Sequence, residues 1–179
     1  LVGSEMCIRD RKEAEWMIKI IDGDLFDTDA KFICHQVNCM GKMGSGVALQ
    51  VRKKFPHVYE EYKKAASPKM LGKVQVVPVD PSLVGYPFRA IPQEKQLICN
   101  LFAQNKYGYD GKRYTDINAL LECFGAVAWI AQYSFAKGKI AMPYKIGCAR
   151  GGADWDEVYK IIEYVFPNCE VELWRCDKG

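Results

Sequence analysis

The apolar positions of this chain follow two different periods. Short apolar runs, some of them alternating with polar residues, predict strands over residues 17–22, 31–37, 73–79, 96–102, 139–143 and 169–175. Apolar residues spaced by three or four positions predict helices over 47–55, 57–66, from 115 or 116 toward Gly138, and over 156–166. Strands that alternate with helices predict an α/β fold, a three-layer α/β/α sandwich with the sheet in the middle.

Two glycine-rich loops each follow a predicted strand and precede a predicted helix. The first contains Gly44, Ser45, Gly46 and Val47, and the second contains Gly147, Cys148, Ala149, Arg150, Gly151 and Gly152. Glycine lets backbone N–H groups approach a ligand closely, and a helix N-terminus adds partial positive charge, so both loops favour a bound phosphate. Two such units in one small domain could hold a diphosphate from two sides, beyond the carboxyl ends of the strands.

Neither loop matches a common nucleotide-binding fingerprint. The first has no Gly-x-Gly-x-x-Gly and no Gly-Lys-Ser/Thr, which argues against a dinucleotide-dependent oxidoreductase and against a P-loop. Taken alone, it is equally consistent with a tight turn before a helix. The segment 103–114 carries several Gly, Tyr, Lys and Asp residues after a predicted strand, so it is a further source of ligand contacts.

Three motifs, taken in order, resemble those of the macro domains, which are ADP-ribose-binding α/β modules. Residues 20–25 resemble the end of their first strand, residues 37–48 their asparagine-containing loop, and residues 142–155 their second phosphate loop. The resemblance runs from residue 17 to about residue 176 and points to the branch of the ADP-ribose-1″-phosphate phosphatases and deacylating ADP-ribosyl hydrolases. It implies a mixed sheet with both glycine loops at one edge.

The same resemblance implies a function at the distal ribose of ADP-ribose. The expected activity is hydrolysis, either as an ADP-ribose-1″-phosphate phosphatase or by removing ADP-ribose from protein or nucleic acid. A non-catalytic reader of ADP-ribose is the alternative, because the same pocket would serve both. No cofactor and no metal are implied.

Five residues outside the glycine loops complete the predicted site. Asp24 is expected to bind the adenine amine, assisted by the backbone of Leu25, and Trp174 to touch the adenine ring. His35 and Asn38 are the predicted catalytic residues: the histidine moves a proton and the asparagine holds ribose hydroxyls. Simpler roles stay open for four of them, namely a cap for Asp24, an Asx-turn for Asn38, a buried structural histidine, and an edge-strand tryptophan.

The chain departs from the deacylating hydrolases at two places. Those enzymes carry an Asp early in the second loop, where Gly151 stands here, and the acid of this loop is Asp154. They also use a lysine just after the central strand, where this chain has Ala103 and Gln104, with Lys106 nearby. Both departures argue against a lysine-based mechanism.

Composition and charge add limits on domain number, location and partners but leave the predicted fold and site unchanged. The 179 residues suffice for one domain, and a net charge of +3 is too small to indicate a nucleic-acid groove by itself. Eight cysteines without a Cys-x-x-Cys pair are expected to be reduced thiols, which favours the cytoplasm, and no apolar run is long enough for a membrane span. We expect residues 1–16 to be an N-terminal extension outside the fold, and residues 17–179 to form a single, monomeric macro domain.

Overall fold

The elements predicted from the apolar pattern form in the structure, a computed structural model that describes residues 17–133 and 136–176. The predicted extension, residues 1–16, lies outside these ranges. The strands are β1 (Ile18–Asp22), β2 (Phe32–Asn38), β3 (Val74–Pro78), β4 (Leu97–Gln104), β5 (Ile140–Pro143) and β6 (Val171–Arg175). The α-helices are α1 (Gly46–Lys54), α2 (Pro56–Ala65), α3 (Ile117–Tyr133) and α4 (Trp155–Val165).

The strands form one mixed sheet in the order β1-β6-β5-β2-β4-β3. All neighbouring pairs are parallel except β3 and β4, which are antiparallel. The mixed sheet implied by the resemblance is therefore confirmed. Because β2 and β5 are parallel neighbours, the two glycine loops that follow them leave the sheet at the same edge, as expected.

Helices cover both faces of the sheet. On β2, Phe32 and Cys34 pack into the core shared with α3 and α4, whereas Ile33 and Val37 pack into the core shared with α1 and α2. A central strand buried on both faces needs apolar residues at nearly every position, which explains its continuous apolar run. The three-layer α/β/α sandwich is thus confirmed.

An irregular segment between β3 and β4 is fastened to the sheet by a buried lysine. Lys31 is only 6% exposed, and its Nζ donates hydrogen bonds to the carbonyl oxygens of Pro92, Gln93 and Lys95 at 3.0, 3.0 and 2.6 Å. Burial lowers the pKa of this ammonium, but the three acceptors compensate its desolvation. No helix within the described ranges is both long and apolar enough to cross a membrane.

Candidate functional site

A cleft of about 350 Å³ lies at the sheet edge where β2 and β5 end. The two glycine loops form its walls, and residues at the ends of β2 and β4 form its floor. Ten of the predicted site residues line it, namely His35, Asn38, Gly44, Ser45, Gly46, Val47, Gly147, Ala149, Arg150 and Gly151. The structure therefore brings both loops and both predicted catalytic residues together.

The walls of the cleft are positively charged. Lys42, Arg52, Lys145 and Arg150 line it, and no Asp or Glu is among its described lining residues. Such a one-signed lining attracts an anionic ligand. Of these four, only Arg150 is predicted from the sequence, because a net charge of +3 does not show that basic residues from three segments meet at one place.

The N-terminus of α1 points its unpaired N–H groups toward the first loop. Ser45 is the N-cap residue, yet its side chain makes no capping hydrogen bond, and the first turn carries no acidic residue. Gly46 has φ +56°, in the left-handed region where a side chain would be strained. The positive end of this helix is therefore left to a ligand, which is the usual arrangement for phosphate binding.

The N-terminus of α4 is different, because its own acidic residues already neutralise it. Asp154 caps the helix by accepting a hydrogen bond from the Glu157 N–H at 3.0 Å, and Asp156 also lies in the first turn. Asp154 does not line the cleft. The second loop can therefore offer its own backbone N–H groups to a ligand, but not the dipole of the helix that follows it.

The second loop is held by side chains from neighbouring elements. The hydroxyl of Thr115 donates to the Gly147 carbonyl oxygen at 2.8 Å and accepts a hydrogen bond from Gln36 Nε2 at 2.8 Å. A Cβ added to Gly151 would lie 2.1 Å from Thr115 Oγ1 and 2.4 Å from the Gly147 oxygen. This loop therefore has no room for a carboxylate at the position where the deacylating hydrolases carry one.

Tyr109 contacts the second loop and lies near the first. Its ring lies under the Arg150 guanidinium, with 4.7 Å from Cζ to the ring centroid. On the other side, its Oη is 3.9 Å from the place that a Cβ would take on Gly44. Tyr107 packs edge-on against it, with ring centroids 6.3 Å apart. Both tyrosines line the cleft and come from the 103–114 segment.

The side-chain amide of Asn38 is occupied by its own loop. Its Oδ1 accepts hydrogen bonds from the N–H of Met40 at 3.0 Å, the N–H of Lys42 at 3.3 Å and the hydroxyl of Tyr62 at 3.0 Å. Its Nδ2 donates to the Lys42 carbonyl oxygen at 2.7 Å. This is the Asx-turn considered above. The second N–H of Nδ2 has no acceptor among the described residues, so it can reach a ribose hydroxyl without exchanging these bonds, and the catalytic role stays a prediction.

His35 is a buried, neutral histidine at the cleft. It is 1% exposed, and its Nε2 lies 2.6 Å from Asn100 Oδ1. Burial lowers the pKa of the imidazole to about 4, and the hydrogen bond with Asn100 only partly opposes that effect. The hydrogen-bond partner of His35 is thus a side chain rather than the backbone. The proton transfer proposed for His35 stays a prediction.

The residues predicted to bind adenine lie together but outside the cleft. Asp24 caps a short 3-10 helix by accepting a hydrogen bond from the Phe26 N–H at 2.9 Å, while the side chain of Leu25 is buried. A Cβ on Gly23 would lie 3.2 Å from the Trp174 ring, which places that ring beside the Asp24 segment. Their role with adenine stays a prediction.

Cys148 and Gly152 belong to the second loop but do not line the cleft. Burial raises the pKa of the Cys148 thiol, so the thiol is protonated at neutral pH. Gly152 has φ +67° and packs against the backbone of Arg113, which explains the glycine there. Among the described residues, no group of three or more His, Cys, Asp or Glu side chains could hold a metal ion.

Comparisons with known proteins agree with this architecture. No protein-family model matches the chain. It is 30% identical over 146 residues to the DNA ADP-ribosyl glycohydrolase of Mycobacterium tuberculosis, covering 79% of this chain and 36% of that protein. It is 28% identical over 159 residues to an uncharacterized 17.5 kDa protein of Enterobacteria phage T4, covering 88% of this chain and 95% of the phage protein. A 34% identity over 71 residues links it to the ADP-ribose 1″-phosphate phosphatase of Aspergillus oryzae, over 39% of this chain and 35% of that enzyme.

Solved structures give the same result. The macrodomain of DarG from Thermus aquaticus superposes with a TM-score of 0.68 at 24% identity, over 89% of this chain and 97% of that one. A macrodomain protein from Streptomyces coelicolor gives a TM-score of 0.65 at 25% identity, over 90% of this chain and 99% of that one. DarTG of Thermosipho africanus, solved with ADP-ribose, gives a TM-score of 0.68 at 20% identity, over 90% of this chain and 42% of that one.

The fold, the two glycine loops and these likenesses define the class: the chain is a macro domain. Within that class, its relatives over most of its own length include the DNA ADP-ribosyl glycohydrolases. The chain spans only 36% of the length of the first of these relatives, so what such a whole protein does is not carried over here as a finding.

Proposed function

We propose that this macro domain binds ADP-ribose in the cleft and hydrolyses the bond that joins the distal ribose to an attached group. The observation that carries this proposal is the cleft itself, which lies between two glycine loops, has four basic and no acidic described lining residues, and faces an uncompensated helix N-terminus. Its volume of about 350 Å³ suits a small ligand. A diphosphate is the anion that two facing phosphate loops would bind together.

We assign the parts of ADP-ribose to the site as follows. Residues 44–47 and the N-terminus of α1 bind the phosphate nearer the distal ribose, and residues 147–152 enclose the diphosphate from the other side. The adenine lies beyond the cleft, at Asp24, Leu25 and Trp174. The distal ribose faces His35 and Asn38, where a neutral His35 is in the form that can accept a proton.

ADP-ribosylated DNA is the first substrate that we propose. Its support is the similarity, over 79% and 88% of this chain, to proteins named DNA ADP-ribosyl glycohydrolase. ADP-ribose-1″-phosphate is the second, supported by the shorter match to a named phosphatase. ADP-ribosylated protein is the third partner that we propose for the same site.

A reader without catalysis is the second candidate function, and two observations favour it. No carboxylate is found among the described residues that line the cleft, and the Asn38 amide oxygen is already bonded within its loop. Both features would serve binding and contribute nothing to bond cleavage.

Binding is tested first, by calorimetric titration with ADP-ribose, AMP, GDP-ribose and NAD. We expect micromolar affinity for ADP-ribose, about −8 kcal/mol, and weaker binding of the other three. Equal binding of GDP-ribose would remove Asp24 from the adenine role. Absence of ADP-ribose binding would end the proposal.

Catalysis is tested by single-turnover hydrolysis of an ADP-ribosylated oligonucleotide and of ADP-ribose-1″-phosphate. We expect His35→Ala to slow the reaction by at least ~10², the usual range for a general acid or base, and Asn38→Ala to weaken both binding and turnover. His57→Ala is the matched control, since this second histidine bonds the Pro78 carbonyl oxygen and does not line the cleft. Binding without turnover of either substrate would leave the reader function.

We further propose that the domain, residues 17–179, is a cytoplasmic monomer. Seven cysteines in the described part of the chain are free, and most of them are buried, which supports a reducing compartment. Size-exclusion chromatography with light scattering tests the monomer.

A further inference from the structure

A chain of side-chain hydrogen bonds runs from the cleft through the sheet to α2. Gln75 Nε2 donates to the Glu61 carbonyl oxygen at 2.9 Å, and Asn100 Nδ2 donates to Gln75 Oε1 at 3.0 Å. Asn100 Oδ1 then lies 2.6 Å from His35 Nε2. These side chains come from β3, β4 and β2, which are adjacent in the sheet, and Asn100 is fully buried.

The end of this chain at a backbone carbonyl fixes its direction. A carbonyl oxygen only accepts, so the Gln75 amide must present its NH₂ group to Glu61 and its oxygen to Asn100. Asn100 must then donate with its own NH₂ group and present its oxygen to His35. The hydrogen on the imidazole is therefore on Nε2, and Nδ1 carries a bare lone pair.

That lone pair has no partner in the described protein. His35 Nδ1 is buried and accepts no hydrogen bond, although His35 is one of the residues that line the cleft. A buried acceptor without a donor costs free energy, and native proteins rarely leave one in that state. The remaining sources of a donor are a bound water and the ligand that fills the cleft.

We propose that Asn100 and Gln75 are positioning residues, which hold His35 as the Nε2–H tautomer so that Nδ1 accepts a hydrogen bond from a hydroxyl group of the sugar bound in the cleft. The identity of that sugar rests on the proposed function. Two causes shift the pKa of the His35 imidazole, namely burial and the hydrogen bond with Asn100, and neither is a charged side chain. The tautomer is thus set by this neutral chain and not by an ion pair.

The tautomer can be observed directly, because the chain has only two histidines. Long-range proton–nitrogen NMR spectra of the ligand-free protein distinguish a protonated ring nitrogen from a bare one, and His57→Gln assigns the signals. We expect His35 as the pure Nε2–H form at neutral pH. The Nδ1–H form, or a mixture of the two, would overturn the inference.

Ligand contact is read from the same spectra. Addition of ADP-ribose should shift the His35 Nδ1 resonance in the direction of an acceptor that has gained a hydrogen bond. An unchanged resonance in a protein saturated with ADP-ribose would show that no sugar hydroxyl reaches Nδ1. Failure of ADP-ribose to bind would remove the proposed function and the ligand half of the inference, whereas the ligand-free spectrum decides the tautomer half by itself.

Substitutions separate positioning from packing. Asn100→Leu and Gln75→Leu should each lose the single tautomer and weaken ADP-ribose binding, by about tenfold for one lost hydrogen bond. Asn100→Asp should instead raise the pH at which His35 titrates, because a carboxylate stabilises the imidazolium, an effect that loss of packing alone does not produce. Gln96→Leu is the matched control, since this amide also donates to backbone carbonyls, of Thr28 and Ala30, but does not line the cleft. An Asn100→Asp titration identical to that of the wild type would overturn the positioning role.

Discussion

Burial of one histidine links the stability of this domain to pH. The pKa of His35 is about 4 in the folded protein, whereas a histidine in an unfolded chain titrates near ~6.5. Between these values the unfolded chain binds more protons than the folded one, so the free energy of unfolding falls as the pH falls through this window. The loss attributable to this one group is about 3 kcal/mol across the window.

Urea unfolding at several pH values checks this prediction. The Asp and Glu carboxylates whose pKa is lowered, such as Asp80 at about 2, begin to lose their contribution as the pH falls to about 5, so the part of the window above that pH reports on histidine. His35→Gln should abolish the dependence there, and His57→Gln should preserve it. A slope that survives in His35→Gln would mean that other groups cause it.

The roles of single residues are the part of the site that the sequence predicts least well. Asn38 and Asp154 are both polar residues at loop positions, and pattern alone allows either one to face a ligand. The structure shows that backbone N–H groups of their own loop and helix take up both side chains. Local backbone geometry decides whether such a side chain bonds to its own loop or to a ligand. Residue type and spacing do not reveal that geometry.

The two helices that follow the glycine loops differ in how their N-termini are neutralised, and this difference can be tested. Ser45→Asp should add a negative charge at the N-terminus of α1 and stabilise the ligand-free protein by about 0.3–1 kcal/mol. The same carboxylate would repel a phosphate at this place, so ADP-ribose affinity should fall by at least ~10-fold. Calorimetric titration and thermal unfolding measure the two opposite effects.

Asp154→Asn is the control for that experiment. Asparagine also caps helices, and the N-terminus of α4 does not belong to the cleft, so affinity should stay unchanged. Equal losses of affinity in both variants would show that α1 has no special role in phosphate binding.

At the level of elements, periodicity predicted the strands and α-helices, and its errors lie at their ends. The strand β6 begins at Val171 rather than at residue 169, and residues 136–138, which the pattern assigns to α3, are not helical. The sequence places the end of the central strand at residue 102, but β4 continues to Gln104. There, the Cys39 N–H donates to the Gln104 carbonyl oxygen at 2.9 Å, and the pairing of β2 with β4 shifts register between Val37 and Asn38. This irregularity depends on contacts between distant segments, so the local pattern gives no sign of it.

For the whole molecule, we predict that the domain is complete without residues 1–16. The described residues 17–133 and 136–176 already form a six-stranded sheet, two cores and the cleft. Deletion of residues 1–16 should therefore leave ADP-ribose affinity and the melting temperature nearly unchanged. A drop in melting temperature of many degrees in the shortened protein would show that the extension packs on the domain.

The contact between Tyr109 and Arg150 of the second glycine loop has a consequence for the speed of binding. Because both residues line the cleft, we expect an entering ligand to separate this ring from Arg150, which would add an opening step and slow association. An exposed cation–π contact of this kind is worth about 0.5–1 kcal/mol. Tyr109→Ala should therefore accelerate association by about two- to fivefold in stopped-flow mixing. Tyr133→Ala, an exposed tyrosine on α3, should leave the rate unchanged. The same tyrosine would also retain a bound ligand, so that the residence time shortens when the ring is removed.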